Sequence, residues 1–153
     1  MGGTSKRNRK KRNIAVSYQC PSNILPRDIW VRIATKVASN SIKDLFNMQA
    51  SCKLFLDPWR SDTVYKHALM LDLLIASFLY YYDRPEKSFI DCCAEAGNPA
   101  ALLRVGMIDF VWIGHCISGM DTLSMAATGG DVEACYFCAM LLLSHGKEDE
   151  EHL

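Results

Sequence analysis

The residues with the most chemical potential are cysteines and histidines. Cys135 and Cys138 stand in Cys-x-x-Cys spacing, Cys92-Cys93 and His115-Cys116 are adjacent pairs, and His145 follows. Two thiolates three residues apart can hold one edge of a tetrahedral zinc, and the same spacing is that of a redox dithiol. Structural zinc, however, wants four ligands, commonly as two close pairs around a loop. Cys135 and Cys138 instead lie inside Ala134 to Leu143, an apolar run that reads as one continuous buried helix. Cysteine packs there as a small hydrophobe. A redox dithiol also needs a strand–helix context that is missing here. Cys20, Cys52 and the two late pairs lack a local cysteine-enzyme signature, and His67, His115, His145 and His152 have no constraining context. Neither a Gly-x-x-x-x-Gly-Lys phosphate loop nor a His-Glu-x-x-His helix occurs. The expectation is packing thiols, no metal, no cofactor and no catalytic site.

The elements that carry these residues point elsewhere. A chain of 153 residues can bury about 68–70% of its unfolded surface, enough for a core without staples. Half the residues are hydrophobic and 22% are charged, the balance of a globular protein. The formal charge of zero hides an asymmetry, because Lys6, Arg7, Arg9, Lys10, Lys11 and Arg12 hold six of the 17 basic residues. The remainder sets eleven basic residues against 17 acidic ones, which argues against a folded nucleic-acid face. Residues 1–20 have no apolar period and read as a disordered basic arm, with Lys6 to Arg12 composed like a nuclear-import signal. No apolar segment follows that basic start, and seven cysteines are an odd number, so a reducing compartment is expected: nucleus, cytoplasm or both. The longest apolar stretches, Leu73 to Phe78 and Ala139 to Leu143, are too short to span a bilayer.

Periodicity predicts helices throughout. Pro26 suits a first helical turn, and Ile29, Ile33 and Val37 recur every four residues with Trp30 and Ala34 beside them. Ser39-Asn40 ends that helix. Ser41 with Asp44 three residues on then reads as a capping-box-like start for a second, whose buried face holds Leu45, Met48 and Phe46. A third short helix is expected over Ser51 to Phe55, broken by Asp57-Pro58. Ser61 to Tyr82 carries Val64, Ala68, Leu71 and Ile75 at helical spacing and reads as a connecting helix. Beyond Pro85 a repeat appears at an offset of 33: Ala94 matches Ala127, Gly97 matches Gly130, Ala101 matches Ala134, and small Gly106 matches small Ala139. Each copy reads as helix, glycine turn and helix, an α-solenoid hairpin. The fold class is all-α.

In order, Leu25-Pro26, Asp28-Ile29, Ile33, Val37, Asp44-Leu45, Ser51-Cys52-Lys53 and Phe55 resemble an F-box. Its landmarks are an opening Leu-Pro, a helix of spaced aliphatics and a late Cys-Lys-x-Phe. Trp30-Val31 departs from that pattern by bringing a bulky aromatic into the first helix. The second half, over Phe89 to Phe110 and Gly119 to Leu143, resembles the Sel1-like repeats, relatives of tetratricopeptide hairpins, that follow the F-box in a group of plant proteins. Some such relatives also carry a MYND-type zinc finger, and its closely spaced Cys and His run does not occur here.

The F-box resemblance implies binding to a Skp-type adaptor and, through it, to a cullin scaffold in an SCF-type ubiquitin ligase. A protein substrate of unknown identity would be recruited by the repeats. Leu25, Pro26, Ile29, Ile33, Val37, Leu45, Cys52 and Phe55 would be the adaptor-side contacts or their supports, and Gly97 and Gly130 the repeat turns. The implied layout is a basic arm over 1–20, an F-box-like module over 21–60, a connecting helix over 61–84, two hairpins over 85–145 and an acidic tail over 146–153. The competing reading is a Sel1-like interaction scaffold with a decayed F-box and no ligase role.

Overall fold

The computed structural model describes residues 25–51, 56–73 and 85–148, and all regular structure among them is helical. The carbonyl of Pro26 accepts the Ile29 and Trp30 amides and opens α1, Arg27–Ala38. Ser41 begins α2, Ile42–Ser51, with its hydroxyl 3.2 Å from the Asp44 amide, half of the expected capping box. Two short helices follow, α3 (Leu56–Trp59) and α4 (Asp62–Lys66). The expected break at Asp57-Pro58 does not occur, because Pro58 sits in the first turn of α3, where its missing N–H has no helical partner to lose. The expected Ser51 to Phe55 helix falls mostly on residues 52–55, outside those described. Arg27 Nε reaches Asp57 Oδ2 at 2.9 Å and ties the exposed start of α1 to α3.

The continuous connecting helix is the clearest correction. Helix ends at Lys66, and His67 to Leu73 form turns and irregular chain, while residues 74–84 lie outside those described. Tertiary partners have taken the backbone groups that a helix would have paired. The Leu69 amide donates to Ala38 at the end of α1, 2.8 Å away. The Asn98 amide group donates to the carbonyls of Tyr65 (3.0 Å) and Ala68 (2.9 Å). Arg104 donates from Nε to Leu73 (3.0 Å) and from Nη2 to Met70 (2.6 Å) and Leu73 (2.7 Å). Of the expected stripe, Val64 and Ala68 are buried and Leu71 is 76% exposed.

The repeats form as expected. Helices α5 (Pro85–Glu95) and α6 (Pro99–Met107) make one hairpin, α7 (Cys116–Thr128) and α8 (Val132–Glu148) the next. Gly97 and Gly130 have φ of 76° and 95°, a left-handed backbone that other residues adopt at a cost. The two turns match bond for bond at the offset of 33. Gly97 and Gly130 donate to Ala94 and Ala127, and Asn98 and Asp131 to Cys93 and Ala126. Asn98 Oδ1 caps α6 at Ala101 (3.2 Å), and Asp131 Oδ1 caps α8 at Ala134 (2.9 Å). Between the hairpins the chain makes an unanticipated π-helical segment, Ile108–Ile113, closed by Gly114 at φ 79°. Helix α8 continues to Glu148, three residues into the stretch expected as tail.

One core runs from Ala34 and Leu45 through Trp59, Val64 and Met70 to Ile90, Cys93 and Ala101, so α1–α4 and the first hairpin share it. A second core, around Leu102, Leu103, Leu123, Ala126 and Ala134, joins the hairpins. Gly106 and Gly119 set the spacing there: a Cβ on Gly106 would lie 2.8 Å from Leu123 Cγ, and one on Gly119 2.6 Å from the Phe110 nitrogen.

Asn98→Ala removes a cap and two donors to buried carbonyls and is expected to cost about 2–4 kcal/mol in urea unfolding. Asn98→Asp keeps the cap but sets a carboxylate against the Tyr65 and Ala68 carbonyls, so it should be at least as damaging. Asp131→Asn keeps a cap and meets no such carbonyls but removes a carboxylate that favours the buried Arg104 cation, so it should cost about 1 kcal/mol or less, below either change at Asn98.

Candidate functional site

Helix α1 turns its small residues inward. Ala34 and Ala38 are fully buried, with Val31 and Val37 packed beside them, so the core-facing row is not the Ile29–Ile33–Val37 stripe read from the sequence. Alanines let α1 lie close to α3 and α4, and Ile29 and Ile33 are left off that buried row. Leu25 is 40% exposed, Ile29 is 37% exposed, Pro26 is exposed, and Ile33 is half-buried. Burying a side chain of this size is worth about 1.5–3 kcal/mol, so an outward row of them is a face rather than an accident of packing.

The other expected contacts divide. Leu45 is fully buried and supports the helices from within. Val37 lines a shallow groove with Asn40, Asp44, Asn47, Met48 and Ser51 along the α1–α2 corner. Cys52 and Phe55 lie outside the described residues, as does the basic run Lys6 to Arg12. Phe46, expected on the buried face, is 37% exposed, its ring edge-on to Phe89 at 5.2 Å. Trp30 is half-buried. The face therefore combines Ile29 and Ile33 of α1 with Leu25 and Pro26 just before it, where the Arg27–Asp57 pair holds the start of the helix.

The five described thiols differ widely in exposure. Cys93 is buried, Cys92 and Cys138 are half-buried, and Cys116 and Cys135 are exposed. Burial, with Cys92 alongside, pushes the Cys93 thiol up to about 12. Among the described residues no group of three or more His, Cys, Asp or Glu side chains could hold a metal ion. Helix α8 is continuous, but it is not the buried helix expected. Ala134 is buried, and Phe137, Cys138 and Leu141 pack on the second core, whereas Tyr136 is 68% and Leu143 72% exposed. A further apolar patch, Val111, Trp112 and Ile113 on the π-helical segment with Ile117 at the start of α7, was not anticipated. Its only trace in the sequence is the apolar run Val111-Trp112-Ile113 where the two repeats meet. No described helix is long and apolar enough to cross a membrane.

Comparison with known proteins bears on both halves. The family described as plant tetratrico peptide repeats matches residues 74–153. An F-box protein of Arabidopsis thaliana is 32% identical over 126 residues, covering 82% of this chain and 76% of that protein. A putative F-box protein of the same plant is 28% identical over 127 residues, covering 83% of this chain and 42% of the relative. No solved structure matches the chain significantly.

Because Ile29 faces outward, Ile29→Ala should change unfolding free energy by less than about 1 kcal/mol, whereas Leu45→Ala should cost about 2–5 kcal/mol. In native protein at pH 8, a thiol-alkylating reagent should modify Cys116 and Cys135 promptly and leave Cys93 unmodified until the chain is unfolded, as read by peptide mass mapping.

Proposed function

This chain belongs to the F-box proteins and carries plant tetratrico peptide repeats, and from that premise we propose that it is the substrate-recruiting subunit of an SCF-type ubiquitin ligase. A Skp-type adaptor, and through it a cullin scaffold, would bind the outward face of α1, and a protein substrate would bind the helical hairpins. We also read those hairpins as Sel1-like, on their glycine turns and offset of 33 residues. The observation that carries the proposal is the orientation of α1: its alanines are spent on the core while Leu25, Ile29 and Ile33 remain available to a partner.

No side chain of this protein then takes part in bond making. It raises the local concentration of substrate beside a charged conjugating enzyme held elsewhere on the scaffold. The shared core supports that role, because a substrate-holding half joined to an adaptor-holding half by one packed interior presents substrate in a fixed direction. The basic arm, as a nuclear-import signal, belongs to the same proposal.

The test is capture of purified Skp-type adaptor by the whole chain. Removing residues 1–60 would also strip Ala34, Ala38, Leu45 and Trp59 from the common core, so point changes are the cleaner probe. The double change Leu25→Ala with Ile33→Ala is expected to reduce capture at least about tenfold, the loss of roughly 1.4 kcal/mol or more, with the unfolding midpoint little changed. Unchanged capture by the folded double variant would remove the α1 face from the interaction. No capture by the wild-type chain would leave a repeat scaffold without a ligase role.

A further inference from the structure

The second helices of the two hairpins, α6 and α8, leave a cleft between them. Leu103 and Met107 stand one turn apart on α6. On α8, Val132, Glu133, Tyr136 and Phe137 fall on one stripe at helical spacing. These six residues line a cavity of about 370 Å³. Its floor is apolar and packed: Leu103 is buried, and the half-buried Phe137 ring meets Phe110 edge-on at 6.3 Å. Val132 and Tyr136 are exposed at the rim, and Glu133, also exposed, carries the one charge of the six. An apolar hollow of this size with a single placed polar group has the make-up of a ligand site.

A second cavity, of about 170 Å³, adjoins the first, since Val132 and Glu133 line both, and it extends to Asp131 and Arg104. Two carboxylates therefore stand beside one guanidinium. Arg104 gives its donors to the carbonyls of Met70, Leu73 and Ala100. Asp131 and Glu133 favour that cation electrostatically, yet neither forms a salt bridge with a described residue. One oxygen of Asp131 caps α8 at Ala134. The acidic end of the cleft thus keeps one negative charge in excess, next to an apolar hollow.

We propose that this cleft binds a short protein segment in which a leucine-sized apolar side chain stands beside an arginine or lysine. The apolar side chain enters between Leu103 and Phe137, and the cation lies toward Glu133 and Asp131. Charge complementarity selects the occupant: a basic neighbour is attracted by the excess carboxylate, and an acidic one is repelled by it. Arginine is favoured over lysine, because its planar cation also stacks on an exposed ring such as Tyr136. The exposed rim lets a chain cross the cleft and leave on either side, as a segment of a larger protein requires. The inference rests on the reading of the hairpins as the substrate-holding half and names the class of segment they hold.

The test titrates acetyl-Gly-Leu-Arg-Gly-amide into the whole chain carrying ¹³C-methyl methionine, followed by NMR. The Met107 methyl signal should shift saturably, while Met125, exposed on α7, and Met48, in the α1–α2 groove, stay in place. Exchanging the probe's arginine for glutamate, or its leucine for serine, should weaken binding at least about threefold. Glu133→Gln and Tyr136→Ala, both at exposed positions, should each weaken the arginine probe to a similar degree, with folding checked by the unfolding curve. No saturable shift at Met107 would overturn the proposal, as would equal binding of the glutamate probe or indifference to both variants. A Met107 shift that follows protein concentration without probe would assign the cleft to a second copy and overturn it equally. So would a shift without probe when Lys6, Arg7, Arg9, Lys10, Lys11 and Arg12 are all changed to glutamine, because the occupant would then be the chain's own arm. Adaptor capture on the same preparations separates the two claims: its loss with probe binding intact refutes only the ligase reading.

Discussion

A buried guanidinium holds this structure together. Arg104 is 7% exposed, and its donors go to the carbonyls of Met70, Leu73 and Ala100 rather than to a carboxylate. Burial lowers its pKa from the usual arginine value, while Glu133 and Asp131 act in the opposite sense. Arginine remains a cation in proteins, so the chain must surround that charge with oxygens, and the chain at Met70 to Leu73 does so with inward-turned carbonyls. Asn98 does the same work a turn earlier for Tyr65 and Ala68 while capping α6. Through these two side chains the irregular segment after α4 is pinned to the first hairpin. The hydrophobic core closes over that joint.

The joint decides what α1 can be. With the Leu69 amide bonded to the end of α1, and α3 and α4 lying against it, the helix packs closely, and small residues stand at the most deeply buried positions. Ala34 and Ala38 fill that space with Val31 and Val37 beside them, which leaves Ile29 exposed and Ile33 half-buried. The outward aliphatics at the start of α1 are the counterpart of close packing at the back of the same helix. The same core joins α1 to the first hairpin.

The repeat half follows a simpler rule. Glycines at Gly97 and Gly130 reverse the chain, and glycines at Gly106 and Gly119 let neighbouring hairpins approach. The two copies differ where their environments differ. Position 98 needs a side chain that both accepts and donates, because carbonyls of the preceding segment face it, and asparagine stands there. Position 131 needs an acceptor for the helix start, and the charge of aspartate also favours the nearby Arg104 cation.

The sequence by itself determined the all-α class, the two hairpins, their turns and the start of α1 and α2, since these depend on local propensity and period. Pro26, Ser41, Gly97 and Gly130 act within a few residues of themselves, so their effect is readable in one dimension. Which side of α1 is buried was not readable that way. Ile29, Ile33 and Val37 form a sound helical stripe, and only the tightness of the contacts at Ala34 and Ala38 shows that the core row runs beside it, with Ile29 left exposed and Ile33 half-buried. The failure of Ser61 to Tyr82 as one helix has the same origin: its carbonyls are claimed by Asn98 and Arg104, some 30 residues away, and local spacing carries no sign of a distant donor. The exposure of α8 was likewise hidden, because an apolar helix looks the same in sequence whether or not a neighbour covers it. Local patterns name the elements, and long-range hydrogen bonds and the fit of small residues decide which faces meet.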